Sequence, residues 1–303
     1  MRPLRLNGLA AASLLTVIAI LPGSVCHAQA SKDILWYGNS FTNATCCGGT
    51  RSVPNIFADI VVAAGHVAPR NRNASADGQS LLFHRNSNTA VITTGILPGE
   101  KWEAVVLQDF STMPTHIGNL TQHLSSSLSL YQAVAAHSPG VEAIMYETWA
   151  RGPGHSYYTG GAPAFPGGPA QMQQELRDGY LASTANINTT IGSAVATYAP
   201  VGDAWQQGGF PANFYASDIY HANNRGSLLN ALVLYSVIYD DPTTSDINLS
   251  GVLTTLGLSA ADGQLASSLA DAVAVPEPSS CGLVALGLVA ILRRRNWRSS
   301  FVS

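Results

Sequence analysis

Between residues 31 and 274, short apolar runs alternate with stretches whose apolar positions recur every three or four residues. The first pattern fits strands buried on both faces, and the second fits helices packed against them. "DILWY" (33–37) reads as the opening strand. A helix follows over "VPNIFADIVVAAG", with Pro54 suited to its first turn and Gly65 to its end. "HVAPRNRNA" reads as the second strand and "WEAVVLQ" as a buried central one, whose β-branched run stops at Gln108. "LTQHLSSSLSLYQAVAAH" predicts a helix, "VEAIMYE" a strand, "AQMQQELRDGYLASTANINTTIG" a helix and "TYAPVGDAW" the last strand. "DIYHANNRGSLLNALVLYSVIYD" is a turn running into an apolar helix. A final helix over "SAADGQLASSLADAVA" has Ser259 as its cap, with Asp262 three residues on. Residues 243–258 follow neither period and are expected as a surface loop. The alternation predicts an α/β fold: a three-layer α/β/α sandwich around a mostly parallel sheet.

Three segments break the pattern. "TWARGPGHSYYTGGAPAFPGGP" (148–169) is too rich in Gly, Pro and aromatics for regular structure. Loops of that length in a compact domain are functional or disordered, and the aromatics argue for function. At the start, Arg2 and Arg5 precede an apolar run from Leu9 to Leu21, then Ala28-Gln29-Ala30. That is the layout of a signal peptide over residues 1–30, removed by signal peptidase. At the end, Val275-Pro276-Glu277-Pro278 leads into an apolar run from Cys281 to Leu292, then Arg293-Arg294-Arg295. Twelve residues rise only about 18 Å as a helix, short of a ~30 Å hydrocarbon core, so the segment predicts transient membrane contact rather than a permanent span. The alternative is an ordinary tail anchor with its arginines inside.

Composition narrows the function classes. The domain at 31–274 is large enough for one sizeable core. It carries nine Lys and Arg against seventeen Asp and Glu, a net charge of −8, which leaves no basic patch for nucleic acid. The only cysteines there are the adjacent Cys46 and Cys47. Neighbouring thiols cannot staple distant segments, and two alone make a poor metal site; whether they are bridged is open. The histidines show no ligand spacing, so no metal or other cofactor is expected.

In an open α/β sheet, ligands gather beyond the carboxyl ends of the strands. The polar residues there are Gly38-Asn39-Ser40, Ala76-Asp77-Gly78-Gln79, Gln108-Asp109 and Thr148-Trp149, with Asp218-Ile219-Tyr220-His221 after the last strand. Together they contain the parts of an acyl-transfer site. Ser40 is the candidate nucleophile, His221 its base, and Asp218 the partner that sets the imidazole tautomer. The backbone N–H groups of Ser40 and Gly78 and the Gln108 amide are candidate oxyanion donors. Each has a plainer reading: Ser40 and Gly78 as turn residues, Asp218 as the cap of the next helix. Trp149, Tyr157, Tyr158 and Phe165 could stack on a sugar ring or simply pack the loop. His84 and His155 lie near the same face.

The set resembles the SGNH (GDSL-type) hydrolase superfamily over about residues 33–240. "YGNSFT" is similar to its first block, with Asn39 where Asp is commoner, and "ADGQS" to its glycine block. "DIYHANNRG" is similar to its closing Asp-x-x-His, including the Asn-x-x-Gly that follows. "VVLQDFS" departs, because Gln108 stands near the position of the oxyanion Asn. The C-terminal residues 275–303 resemble a PEP-CTERM sorting signal, which implies an exosortase-type peptidase as a processing partner. The resemblance implies an exported serine esterase at the surface or in the extracellular matrix of a Gram-negative-type bacterium. Its substrate would be an O-acyl ester, with an acetylated polysaccharide as the first expectation, contacted by Trp149 and Tyr157. The competing expectation is an inactive member of the fold that binds carbohydrate or serves as a structural surface protein.

Overall fold

The computed structural model describes residues 31–274. The expected signal peptide (1–30) and sorting segment (275–303) lie outside the described residues. Five strands form one sheet: β1 (Asp33–Tyr37), β2 (Arg70–Asn73), β3 (Ala104–Leu107), β4 (Glu142–Tyr146) and β5 (Ala196–Ala199), in the order β2-β1-β3-β4-β5. Every pairing is parallel, in register Leu35↔Val105, Val106↔Ile144 and Met145↔Tyr198 through the centre.

Strand side chains alternate between the two faces, so each face builds its own core. Ile34, Trp36, Val106, Ile144 and Tyr146 point to one side. There they meet α2 (Val53–Ala63) and α8 (Asn224–Tyr239), with α7 (Val201–Gln207), α9 (Ser250–Leu256) and α10 (Ala260–Val273) behind. Leu35, Tyr37, Val105, Leu107 and Met145 point to the other, against α3 (Leu81–Ser87), α4 (Val91–Thr94) and α5 (Leu120–His137). The long α6 (Gly168–Ile191) follows the β5 edge and serves both: Met172 and Leu176 enter the first core, Tyr180 and Ile187 the second. This is the three-layer α/β/α sandwich that the alternation predicts. Each fully buried large side chain contributes about 1.5–3 kcal/mol over its exposed state.

The exposed edge strand β2 carries polar residues because only one of its sides is paired. Its docking is polar too: Arg70 Nε donates to Asp33 Oδ1 (2.6 Å) and Trp36 Nε1 to Asn71 Oδ1 (3.0 Å).

Two expectations need correction. "TYAPVGDAW" is a strand only through Ala199; Pro200 ends it, and Val201–Gln207 turns helical, with Val201, Ala204 and Trp205 buried in the core beside α8 and α10 rather than on the sheet. Residues 243–258 are not a plain loop: a 3-10 turn at Thr244–Asp246 is held by Asp271, whose carboxylate accepts from Thr244 N and Oγ1, and α9 follows it. The short α1 (Ser40–Asn43), α3 and α4 are too brief to show a helical period. Among the described residues no helix is long and apolar enough to cross a membrane.

Candidate active site

The strand order places β1 between β2 and β3, so the chain leaves β1 to opposite sides at this point in the sheet. Such a reversal opens a crevice beyond the strands' carboxyl ends. The turn after β1 sits in that crevice. Gly38 is required there by space: a Cβ would lie 2.2 Å from Thr42 Oγ1 and 2.7 Å from Gln108 Oε1. Asn39 caps α1, its Oδ1 accepting from Phe41 N (3.0 Å), while its Nδ2 donates to Gln79 O (3.1 Å). Ser40 is therefore the first residue of a helical turn with its side chain toward the crevice.

Gln108 departs from the expected role. It is fully buried, and its Oε1 accepts from Asn39 N and Thr42 Oγ1, both at 2.9 Å. Its Nε2 donates to the Asp109 carbonyl. The Asn39 N–H needs an acceptor, which fixes the orientation of the amide. Gln108 thus ties the end of β3 to the serine corner and does not face the cleft. His84 also braces that corner rather than meeting solvent or substrate. Its buried ring donates Nε2–H to Gly38 O (2.7 Å) and accepts from Asn88 Nδ2 at Nδ1 (3.1 Å). Burial lowers its pKa, so the ring is neutral. Asp109 accepts from Leu81 N and Phe110 N and pairs with the buried His123 (2.9 Å).

His221 reaches Ser40 across 181 residues of chain, with Nε2 2.9 Å from Ser40 Oγ. Its Nδ1 lies 2.6 Å from Asp218 Oδ2. A carboxylate only accepts, so Nδ1 carries the proton and Nε2 is left to accept from the serine hydroxyl. Asp218 is not the cap of α8; that is Asn223, whose Oδ1 accepts from Arg225 N and Gly226 N. Burial opposes ionisation of Asp218, but hydrogen bonds from the His221 ring and from the His221 and Tyr220 N–H groups prevail and hold its pKa below the ordinary value.

The Asp-x-x-His segment is a loop closed by an isolated bridge between Tyr215 and Ala222. Ile219 within it takes φ = 59°, costly for a β-branched residue and sustained only where the surroundings enforce it. The clamp is the segment after β4: Gly152 N donates to Ile219 O (2.7 Å) and Trp149 Nε1 to Tyr220 O (3.0 Å). The motif's last glycine is also explained, since a Cβ on Gly226 would lie 2.5 Å from the Trp205 ring and 2.7 Å from Phe214 O.

These residues border a cleft of about 570 Å³, lined by Ser40, Gly78, Arg151, Tyr157 and His221 among others. Neither the Ser40 nor the Gly78 N–H has a hydrogen-bond partner among the described residues. Gly78 has φ = +72° and open space at its Cβ position, so the turn needs glycine for its backbone angle rather than for clearance. Cys46 and Cys47 form a disulfide on the cleft wall, with sulfurs near His221. Trp149 does not line the cleft, contrary to expectation. It is fully buried, stacked between Phe41 (4.4 Å) and Trp205 (4.7 Å), because its indole fills the space beneath the histidine loop. Phe165 is likewise buried, whereas Tyr157 does border the cleft. His155 is also there, its pKa lowered by burial and by the neighbouring Arg151 charge. Arg151, which also borders the cleft, is not among the expected site residues; its signal in the sequence is its place in the long loop.

The second strand-end carboxylate, Glu147, is structural. Its oxygens accept from Gln173 Nε2 (2.6 Å) and Asp203 N (2.9 Å), and full burial pushes its pKa well up.

Comparison with known proteins agrees with this fold. Residues 274–296 match the PEP-CTERM protein-sorting motif, the mark of exported, exosortase-processed proteins. A candidate SGNH hydrolase from Slackia heliotrinireducens is 26% identical, with a TM-score of 0.53 over 69% of this chain and 99% of its own. A DUF4886 family protein from Bacteroides uniformis is 15% identical, with a TM-score of 0.59 over 81% of this chain and 96% of its own. No curated protein matches the chain. The protein has the α/β fold of the SGNH hydrolases and ends in a PEP-CTERM sorting motif.

Proposed function

We propose that this protein is an exported serine ester hydrolase, with Ser40, His221 and Asp218 as its triad. The observation that carries the reading is the unbroken relay from Ser40 Oγ through His221 (2.9 Å) to Asp218 (2.6 Å), open to a cleft. His221 Nε2 takes the hydroxyl proton as Ser40 Oγ attacks the ester carbonyl carbon. The charge on the carbonyl oxygen falls to the unpartnered N–H groups of Ser40 and Gly78. The imidazolium, steadied by Asp218, returns its proton to the departing alcohol. Water then attacks the acyl-serine by the same route and releases the acid. Export and a cleft that mixes aromatic rings with polar groups favour an O-acyl group on an extracellular glycan, with acetyl as the first choice.

The test is hydrolysis of p-nitrophenyl acetate by the purified protein and by Ser40→Ala, with fluorophosphonate labelling of both. Turnover and labelling that vanish in the variant support the proposal. Equal rates with no label on Ser40 refute it and favour a carbohydrate-binding or structural surface protein.

A further inference from the structure

Arg151 stands out in the cleft. Its residue exposure is 5%, and a guanidinium so withdrawn from water ordinarily meets a carboxylate. No acidic group pairs with it among the described residues: Nη2 donates to Ser111 Oγ (2.7 Å), while Nε and Nη1 are buried without a hydrogen-bond partner. The charge lies instead against aromatic rings, 4.3 Å from the Tyr220 centroid, 5.4 Å from Phe41 and 5.9 Å from Tyr157. A desolvated cation–ring contact returns less than burying the ion costs, so the rings offset the burial only in part. Desolvation lowers the pKa of Arg151 and the surrounding tyrosines oppose that, but an arginine stays charged throughout the working pH range.

Its position is held firmly. Ala150 N donates to Gln173 Oε1 (2.8 Å), Tyr158 Oη to Arg151 O (3.0 Å) and Gly152 N to Ile219 O (2.7 Å). Phe41 follows the serine and Tyr220 precedes the histidine, so the guanidinium lies beside the reacting pair. Arg151 lines the cleft, Nε and Nη1 have no acceptor among the described residues, and a carboxylate matches the planar donor fork.

We propose that Arg151 is a binding subsite for a carboxylate on the substrate, so that the ester cleaved at Ser40 belongs to an acidic molecule such as an O-acylated sugar acid. This rests on the ester-hydrolase reading and narrows its substrate class.

The test compares mono-O-acetylated methyl galacturonoside with the matching methyl galactoside, which differ in the carboxylate. The wild type hydrolyses the acid with at least about tenfold higher kcat/KM, the value of one charge-assisted contact. Arg151→Met collapses that ratio toward unity, chiefly by raising KM for the acidic ester, and Arg151→Lys retains part of it. A wild-type ratio near one overturns the proposal. So does a fall in Arg151→Met that is equal for both esters, which would mean that the guanidinium serves the reacting oxygen or the loop's shape. Calorimetry on Ser40→Ala reads the subsite without turnover: methyl galacturonoside binds at least about tenfold tighter than methyl galactoside, and the added Arg151→Met change removes the difference. Selective binding with no hydrolysis of either ester sinks the hydrolase reading alone. Hydrolysis without selective binding sinks the subsite alone.

Discussion

Replacing Gln108 by Met separates a structural amide from an oxyanion donor. The side chains have similar length, so the change removes polar atoms without opening a large cavity. It leaves the Asn39 N–H and the Thr42 hydroxyl without the acceptor they now have, and the Asp109 carbonyl with only Asn39 Nδ2 at 3.4 Å. Gln108 and Asn39 are fully or almost fully buried, so water cannot readily replace it. An orphaned buried donor costs about 1–3 kcal/mol; the hydroxyl can rotate toward another acceptor and adds less, for a total of roughly 2–4 kcal/mol. For a domain of this size that lowers Tm by about 6–12 °C. Urea unfolding monitored by tryptophan fluorescence, together with a thermal scan, measures the loss. Activity falls alongside, because the Asn39 N–H is one residue from the nucleophile. A variant within about 0.5 kcal/mol of wild type, with its loss confined to kcat, would refute the reasoning and return Gln108 to the oxyanion site.

Three other outcomes follow from the geometry. Gly226→Ala gains up to about 1 kcal/mol of helix propensity, but its Cβ meets the Trp205 ring and the Phe214 carbonyl, so overpacking wins and urea unfolding shows a net loss of roughly 1–2 kcal/mol. Asp218→Asn leaves the imidazole without the acceptor that sets its tautomer, so kcat for an activated ester falls by about 10²–10⁴-fold while Tm moves little; an unchanged kcat removes Asp218 from the relay. Asp262 is held at about 2, below its ordinary 3.8, by the Arg225 side chain and by the Ser259 hydroxyl and N–H. Because the folded pKa is the lower one, its stabilisation is present above pH 3.8 and lost as pH falls toward 2. After allowance for solvent screening it is worth about 1 kcal/mol, so unfolding of Asp262→Asn should match wild type at pH 2 and fall below it at pH 6.

Much of this protein follows from its sequence. Alternating periods of apolar residues determine the strand and helix succession, because each element must bury one face or both. The Ser259–Asp262 pairing also joins residues only three apart in sequence, and it appears as a reciprocal capping box. Local sequence could nominate Ser40 and the Asp218–His221 pair, since three-residue spacing and a strand-end corner are near-neighbour facts. What it could not decide was direction. Gln108 looks like a donor at the mouth of the sheet, yet the tight Gly38 corner draws its amide inward. Trp149 looks like a sugar platform, yet the gap beneath the histidine loop swallows its ring. Arg151 is marked in sequence only by the long loop it belongs to; its isolation from every carboxylate among the described residues results from packing among Phe41, Tyr157 and Tyr220, which lie 110, 6 and 69 residues away along the chain. Periodicity reports which side of an element is buried, but only the assembled fold settles which polar atoms are consumed inside and which remain for a ligand.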